Sequence, residues 1–252
     1  MKILLTGYKG FIGQNFIELT KGQGHEITLF EWGDPEPQVK GHDWVVHLGA
    51  ETSTTGNDIE KYMAKNYDFS RWLLHQCVTH KVNFQYASSA SVYGRGPNFK
   101  EDGSVDPRSP YAWSKYLFDR EAFYSDEIII QGFRYFNVYG PHEDHKKGQA
   151  SPFHTFKKQF EENGKIVLFE GSQDFLRDFI HVDRVIEVHM AFMDIKESGI
   201  WNIGSGRPQS FYDVAKIYTD NIEFVPMPEQ IKKHYQPYTC ADLTKLKKTL
   251  NI

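Results

Sequence analysis

The chain has 252 residues, enough to bury a large core as one big domain or as a domain with a smaller lobe. Its 40% hydrophobic and 25% charged residues are ordinary for a globular protein, and a net charge of -4 gives no electrostatic basis for a DNA, RNA or anionic-membrane partner. Its 2 cysteines, Cys77 and Cys240, lie far apart, which argues against a disulfide framework or structural zinc site and for reduced thiols in a cytosolic protein.

The opening "MKILLTGYKGFIG" is too short in its apolar run and too broken by glycine for a signal peptide, and no stretch approaches a membrane span. "KILLT" reads as a buried strand, "FIGQNFIELTK" as a helix, and "HEITLFE" and "WVVHLGA" as two further strands. A long helix follows through "IEKYMAKNYDFSRWLLHQCV", then the strand "NFQYASS", the helix "YAWSKYLFDREAFY" and the strand "EIIIQGFRYFN". Short apolar runs alternating with helices predict an α/β fold with a doubly wound parallel sheet covered on both faces. Beyond Tyr139 the texture changes: "GPHEDHKKGQASP" is rich in loop formers, and "EGSQ", "GSGRPQ" and "PMPEQ" separate short elements. Residues 1–140 are expected to form mainly a dinucleotide-binding domain. Residues 141–252 are expected to form mainly a substrate lobe, interleaved with the last strands of the sheet.

"TGYKGFIG" places Gly7, Gly10 and Gly13 between the first strand and the first helix, one residue longer in the turn than the G-x-G-x-x-G dinucleotide fingerprint. Glycines let the backbone approach a pyrophosphate, and the helix N-terminus offers unpaired N–H groups and the positive end of a dipole. Glu31 closes the second strand, where a carboxylate accepts hydrogen bonds from both ribose hydroxyls of adenosine.

"YAWSK" sets Tyr111 four positions before Lys115, on one helical face. Alone this is an ordinary surface pair; beside a dinucleotide loop it becomes an acid–base candidate. Tyrosine titrates near pH 10, about, and needs nearby positive charge to act as a base; Lys115 and an oxidised nicotinamide ring would supply it. Ser89, ending the fourth strand, is placed to hold the same substrate hydroxyl.

With these motifs the sequence resembles the extended short-chain dehydrogenase/reductase family, the nucleotide-sugar epimerases and dehydratases. Within it the nearest likeness is to the ADP-L-glycero-D-manno-heptose 6-epimerases. The resemblance rests on "STTGNDIEKYM", "YASSASVYG", "YAWSKYLFD", "GFRYFNVYGPHEDHK", "LFEGSQDFLRDFIHV", "NIGSGRPQSF" and "HYQPYTCADLT" and covers almost the whole chain. It implies that Ser89, Tyr111 and Lys115 act at the substrate hydroxyl and that Lys146 is a second acid–base residue on the other side of the sugar. Lys147 adjoins Lys146, and a solvated loop lysine is the competing reading there. The resemblance also implies NAD or NADP held by Gly7, Gly10, Phe11, Ile12, Gly13, Glu31, Leu48, Gly49, Ala50, Asn66, Tyr111, Lys115 and Val138. Asn137, His154, Phe169, Glu170, Gly171, Ser172, Arg177 and Tyr235 would contact a nucleotide-diphosphate sugar. Two of these keep rival readings: Arg177 as the partner of Asp178, and Asn66 as a hydrogen-bonded core amide. His142 and His145, with Glu143 and Asp144 in one loop, are too loosely spaced for a metal site, and none is expected.

The family implies a homodimer through the helices at 59–78 and from Tyr111, with Tyr67, Phe69, Trp72, Phe118 and Phe123 as candidate surface. A 4,6-dehydratase is disfavoured, because that branch resembles "TDE" after the serine pair where this chain has "ASV". UDP- or GDP-sugar 4-epimerases share the core residues and are the enzymatic alternative. A catalytically silent nucleotide-binding or sensor protein is the alternative of another class, which loss of Tyr111 or Lys115 would favour, and both are present. The sequence departs from the family between Glu31 and Trp44, where "WGDPEPQVKGHD" replaces a helix, a strand and a helix. The outermost strand of the sheet is therefore expected to be absent, since an extended segment this long can cross beneath a neighbouring strand. The family's closing helices do not follow "DLTKLKKTLNI" either. A reduced member of this kind is expected to bind its cofactor more weakly or to accept another sugar, and Glu31 favours NAD over NADP.

Overall fold

In the computed structural model, residues 1–53, 56, 58–96, 98–232 and 235–252 are described. Thr54, Thr55 and Asn57 of the run "STTGNDIEKYM" and His234 of "HYQPYTC" lie outside them. "KILLT" forms β1 (Lys2–Thr6), a glycine turn leads into α1 (Phe11–Thr20), and β2 (Glu26–Phe30) returns parallel to β1 with Thr6 opposite Phe30. β3 (Trp44–His47) lies on the other side of β1, Leu5 opposite Val46. Ile3, Leu4 and Leu5 are all buried, so β1 reads as an unbroken apolar run because both of its faces are covered.

The segment 31–43 passes from β2 to β3 beneath β1, with Val39 buried against Leu4, Phe30 and Val45. The long helical pattern breaks into three: α2 (Ile59–Tyr62), a π-helical stretch (Met63–Asp68) and α3 (Phe69–His80). Ser70 Oγ donates to Asn66 O at 2.8 Å, a side-chain bond that competes with the helical ladder at this point. β4 (Asn83–Ser89), α4 (Pro110–Glu121), β5 (Ile130–Tyr135) and β6 (Asn137–Tyr139) follow. The remaining elements are α5 (Pro152–Asn163), β7 (Ile166–Phe169), β8 (Leu176–His181), α6 (Val182–Phe192) and β9 (Gly199–Ile203). β10 (Pro208–Ser210), α7 (Phe211–Lys216), β11 (Ile222–Val225), α8 (Glu229–Lys232) and α9 (Thr244–Leu250) complete the chain.

The central sheet has the order β2-β1-β3-β4-β5-β9, all parallel, so β2 is an edge and no strand lies outside it among the described residues. This is the doubly wound, Rossmann-like sheet with its outer strand missing. Leu73, Leu74 and Phe118 cover one face, against Leu4, Val45, Phe84 and Ile130. Phe16, Val182 and Ile186 cover the other, against Ile3, Leu5 and Val46. Two small sheets, β10-β8-β6 and β11-β7, stand beyond the carboxyl ends of the strands. No helix among the described residues is long and apolar enough to cross a membrane.

Packing corrects the expected dimer surface. Phe118 is 2% exposed and belongs to the core, while Tyr67, Phe69 and Trp72 pack partly buried against the same cluster. The exposed apolar side chains of these two stretches are Ile59, Trp113, Leu117, Phe123 and Tyr124. Helical spacing left these two sets unresolved because it does not say which sides of α4 are both occupied.

Candidate active site at the carboxyl end of the sheet

Gly7 has φ +73°, and a Cβ there would lie 2.5 Å from Gly49 N; one on Gly13 would lie 2.3 Å from Gly7 O. These two glycines are required by the close approach of the turn to β3 and α1. Gly10 is under less internal pressure, its Cβ meeting only Gly7 O at 3.2 Å. Gly10 caps α1 with no side-chain hydrogen bond, so the first N–H groups of the helix are left for an anion. That arrangement fits the pyrophosphate of a dinucleotide. Glu31 is held at the end of β2 by N–H donations from Trp32 at 2.9 Å and Lys9 at 3.3 Å. Gly7, Glu31, Gly49 and Ala50 line one cavity there, while Phe11, Ile12, Leu48 and Val138 pack together beside it. Asn66 does not reach this cavity: it is 1% exposed and brackets Glu51, accepting from its N–H at 2.7 Å and donating to its carbonyl at 2.9 Å. This hydrogen-bonded amide fixes the loop that follows Ala50.

α4 begins with its own punctuation. Ser109 accepts from Ala112 N at 3.1 Å, Pro110 occupies the first turn, and such a cap stabilises a helix by about 1 kcal/mol. Tyr111 and Lys115 then face inward, 9% and 6% exposed. The Lys115 ammonium donates to Ala87 O at 2.8 Å, and burial pulls its pKa down to about 8. Burial pushes the Tyr111 phenol above its usual value, while its hydrogen bond with Ser89 pulls the other way. Below them α4 is locked to the sheet: Asp119, buried, takes Tyr86 Oη at 3.0 Å and Arg134 Nε at 2.9 Å.

Lys146 sits in a 3-10 turn (Asp144–Gln149) with its ammonium 4.7 Å from the centre of the Phe11 ring and 3.5 Å from Glu143 Oε2. It is 22% exposed at the side chain, and burial lowers its pKa, partly offset by Glu143. Glu143 is 1% exposed and accepts from Ser151 N at 2.6 Å, Ser151 Oγ at 2.7 Å and Gly140 N at 3.1 Å. An acidic residue three before Lys146 was visible in the sequence, but its burial was not.

On the facing lobe, the Arg177 guanidinium lies 5.4 Å from the Phe211 ring centre and 5.2 Å from that of Tyr235. Asp178 is not its partner: that carboxylate takes the N–H groups of Ser205 at 2.6 Å, Ala241 at 2.8 Å and Gly206 at 2.9 Å. Phe175 stacks obliquely on Tyr235, 4.7 Å between centres, and lies 3.2 Å from where a Gly171 Cβ would be. Gly171 and Arg177 are thus joined through the rings of Phe175, Tyr235 and Phe211. Phe169 ends β7, Glu170 N donates to Val225 O at 2.9 Å, and Ser172 Oγ donates to Phe169 O. Asn137 donates to Asp178 O at 3.3 Å, and His154, in the first turn of α5, has Nε2 3.8 Å from Asp144. His142 pairs with Glu18 at 3.0 Å, and no set of three metal-ligating side chains converges among the described residues.

The parallel six-stranded sheet with helices covering both faces is a Rossmann-like α/β fold. Residues 34–204 match the model of the NAD dependent epimerase/dehydratase family, well over half of the chain, and the chain belongs to that family. Similar solved structures include the ADP-L-glycero-D-manno-heptose-6-epimerase of Helicobacter pylori, 24% identical, with a TM-score of 0.88 over 99% of this chain and 90% of that one. The UDP-N-acetylglucosamine 4-epimerase of Methanobrevibacter ruminantium M1, solved with UDP-N-acetylmuramic acid, is 21% identical, with a TM-score of 0.88 over 100% of this chain and 92% of that one. The UDP-glucose 4-epimerase of Thermotoga maritima, solved with UDP-glucose, is 22% identical, with a TM-score of 0.84 over 100% and 93%. At these identities the likeness establishes the fold.

Proposed function

We propose that this chain is a nucleotide-sugar epimerase acting through transient oxidation of its sugar to a ketone, of the ADP-heptose 6-epimerase kind. The observation that carries the reading is the buried Tyr111, hydrogen-bonded to Ser89 at the carboxyl end of β4, with Lys146 on another loop over Phe11. NAD, when bound at the glycine turn, supplies the hydride acceptor and donor for such chemistry. Tyr111 takes the hydroxyl proton while Ser89 holds the oxygen, and Lys115 lies buried one helical turn on, its ammonium on Ala87 O. Lys146 serves as the acid–base group for the reoriented ketone, its ammonium kept in place by Glu143. Arg177, between two aromatic rings and without a carboxylate, is suited to the diphosphate.

The test is a panel of an ADP-heptose, a UDP-hexose and a GDP-hexose incubated with NAD in deuterated water and followed by NMR. Inversion of the ADP-heptose supports the reading, inversion of a hexose moves the chain to the 4-epimerases, and three unchanged sugars refute the enzyme reading. In the same assay Lys146→Ala is expected to stop inversion yet allow slow oxidation, seen as reduced-nicotinamide absorbance. A variant that inverts normally returns Lys146 to a loop lysine.

NAD is expected to bind at least about tenfold more tightly than NADP. The Glu31 carboxylate is fixed at the cavity by two N–H groups, and a phosphate about 4 Å from it is repelled by about 4 kcal/mol at an effective dielectric near 20. Screening cuts that several-fold, and about 1.4 kcal/mol is still tenfold in affinity. Lys9, whose N–H reaches Glu31, and Lys40 are the candidates for countercharge. Calorimetric titration of both cofactors decides: equal or tighter NADP binding overturns the preference, and Glu31→Ala should otherwise narrow it.

A further inference from the structure

We propose that the half-exposed indole of Trp32, with the Lys65 ammonium across it, is the seat of the purine ring, taking over from the strand that this sheet lacks. The proposal rests on the dinucleotide reading of the glycine turn and assigns two residues that this reading does not use. Trp32, Phe69 and Lys65 line the same cavity as Gly7 and Glu31. A base joined to a ribose held at Glu31 has that wall next to it.

The indole is positioned rather than loose. Its backbone N–H is bonded to the Glu31 carboxylate at 2.9 Å, which ties the acid to the chain that carries the ring at the lip of the cavity. Phe69 meets the indole edge to face, 5.5 Å between centres, and is itself stacked on buried Phe30 at 5.4 Å. That column runs from the core to the surface and sets the ring's direction. Lys65, projecting from the π-helical stretch, places its ammonium 5.2 Å from the indole centre. Trp32 nevertheless remains 49% exposed, an aromatic face left at a cavity mouth where no further strand covers it. A flat purine, stacking on an indole beside a cation, matches such a wall, and stacking of this kind does not depend on base-specific hydrogen bonds.

NAD and AMP are titrated by calorimetry into stripped wild-type protein and into Trp32→Ala, Trp32→Phe and Lys65→Ala, with tryptophan fluorescence followed alongside. Trp32→Ala should lose about tenfold or more in affinity for both ligands, Trp32→Phe should stay within about threefold, and Lys65→Ala should lose about threefold. AMP should quench wild-type fluorescence, and Trp32→Phe should abolish that quenching while still binding. Melting temperatures guard against misfolding, and Trp32→Phe keeps a ring on the Phe69 column. Trp32→Ala protein that binds AMP and NAD like wild type overturns this proposal alone. Wild-type protein that binds neither ligand overturns the dinucleotide reading with it.

Discussion

Tyr111→Phe is expected to lower turnover of the sugar identified by the NMR panel by about a thousandfold, while NAD affinity stays within about threefold. The phenol is buried and hydrogen-bonded to Ser89, and positioned proton transfer contributes about 100- to 10,000-fold to such rates. Phenylalanine keeps the ring, its 6.4 Å edge contact with Tyr62 and the packing of α4, so the loss falls on chemistry rather than on folding. The chain alone does not make this tyrosine a base: burial raises its pKa, and Lys115 donates to Ala87 O. Ser89 is the group that pulls the phenol downward, and an added positive charge at the glycine turn has to do the rest. The readout is the ratio of kcat to cofactor Kd. Near wild-type turnover would remove Tyr111 from the mechanism, whereas equal losses in turnover and NAD binding would make it a structural residue.

Most of the sheet was legible because its strands are buried on both faces and therefore appear as short apolar runs: "KILLT", "WVVH" and "NFQYASS" fall where β1, β3 and β4 form. The missing outer strand was legible too, from the few residues between Glu31 and Trp44, since chain length bounds what a connection can contain. What the sequence hid depends on contacts between distant segments. Nothing in "MAKNYD" marks a π-helical turn, which comes with the side-chain bonds of Asn66 and Ser70. "RDF" suggested an ion pair by adjacency, but on strand β8 successive side chains point to opposite faces, and Asp178 meets the 205–206 turn while Arg177 meets Tyr235. Nothing in the sequence joins Trp32 to Lys65. Only the bare edge of β2 brings them to one cavity.

Acid should unfold this protein steeply below pH 6, about, because two histidines are buried in their neutral form. His47 and His189 are 3% and 0% exposed, and burial pulls each pKa to about 3, with the Lys115 charge adding to the effect at His47. Their hydrogen bonds also demand neutrality. Ser70 Oγ donates to Asn66 O and so accepts from His47 Nε2 at 2.8 Å, which leaves Nδ1 to accept from Thr6 Oγ1 at 2.6 Å. At His189, Nδ1 donates to Gln85 Oε1 at 2.7 Å and Nε2 accepts from the Tyr135 hydroxyl. A second ring proton would break one bond at each site. The unfolded chain takes up these protons near pH 6.5, about, and the folded chain only near pH 3, so stability present above the first value is lost as pH falls toward the second. Each histidine contributes a slope that rises to about 1.4 kcal/mol per pH unit once the pH is well below about 6.5, so the pair removes about 5 kcal/mol between pH 6.5 and 4.5. Glu101, whose carboxyl burial pushes up, gains stability over part of that range and reduces the fall. Domains hold about 5–15 kcal/mol in total, so the loss is enough to bring unfolding into reach at pH 4.5. Urea unfolding at pH 7, 6, 5 and 4.5 measures it, and His189→Gln should give a slope nearly half that of wild type even if it starts from lower stability. An unfolding free energy that stays level from pH 6.5 to 4.5 would mean that neither imidazole is held neutral.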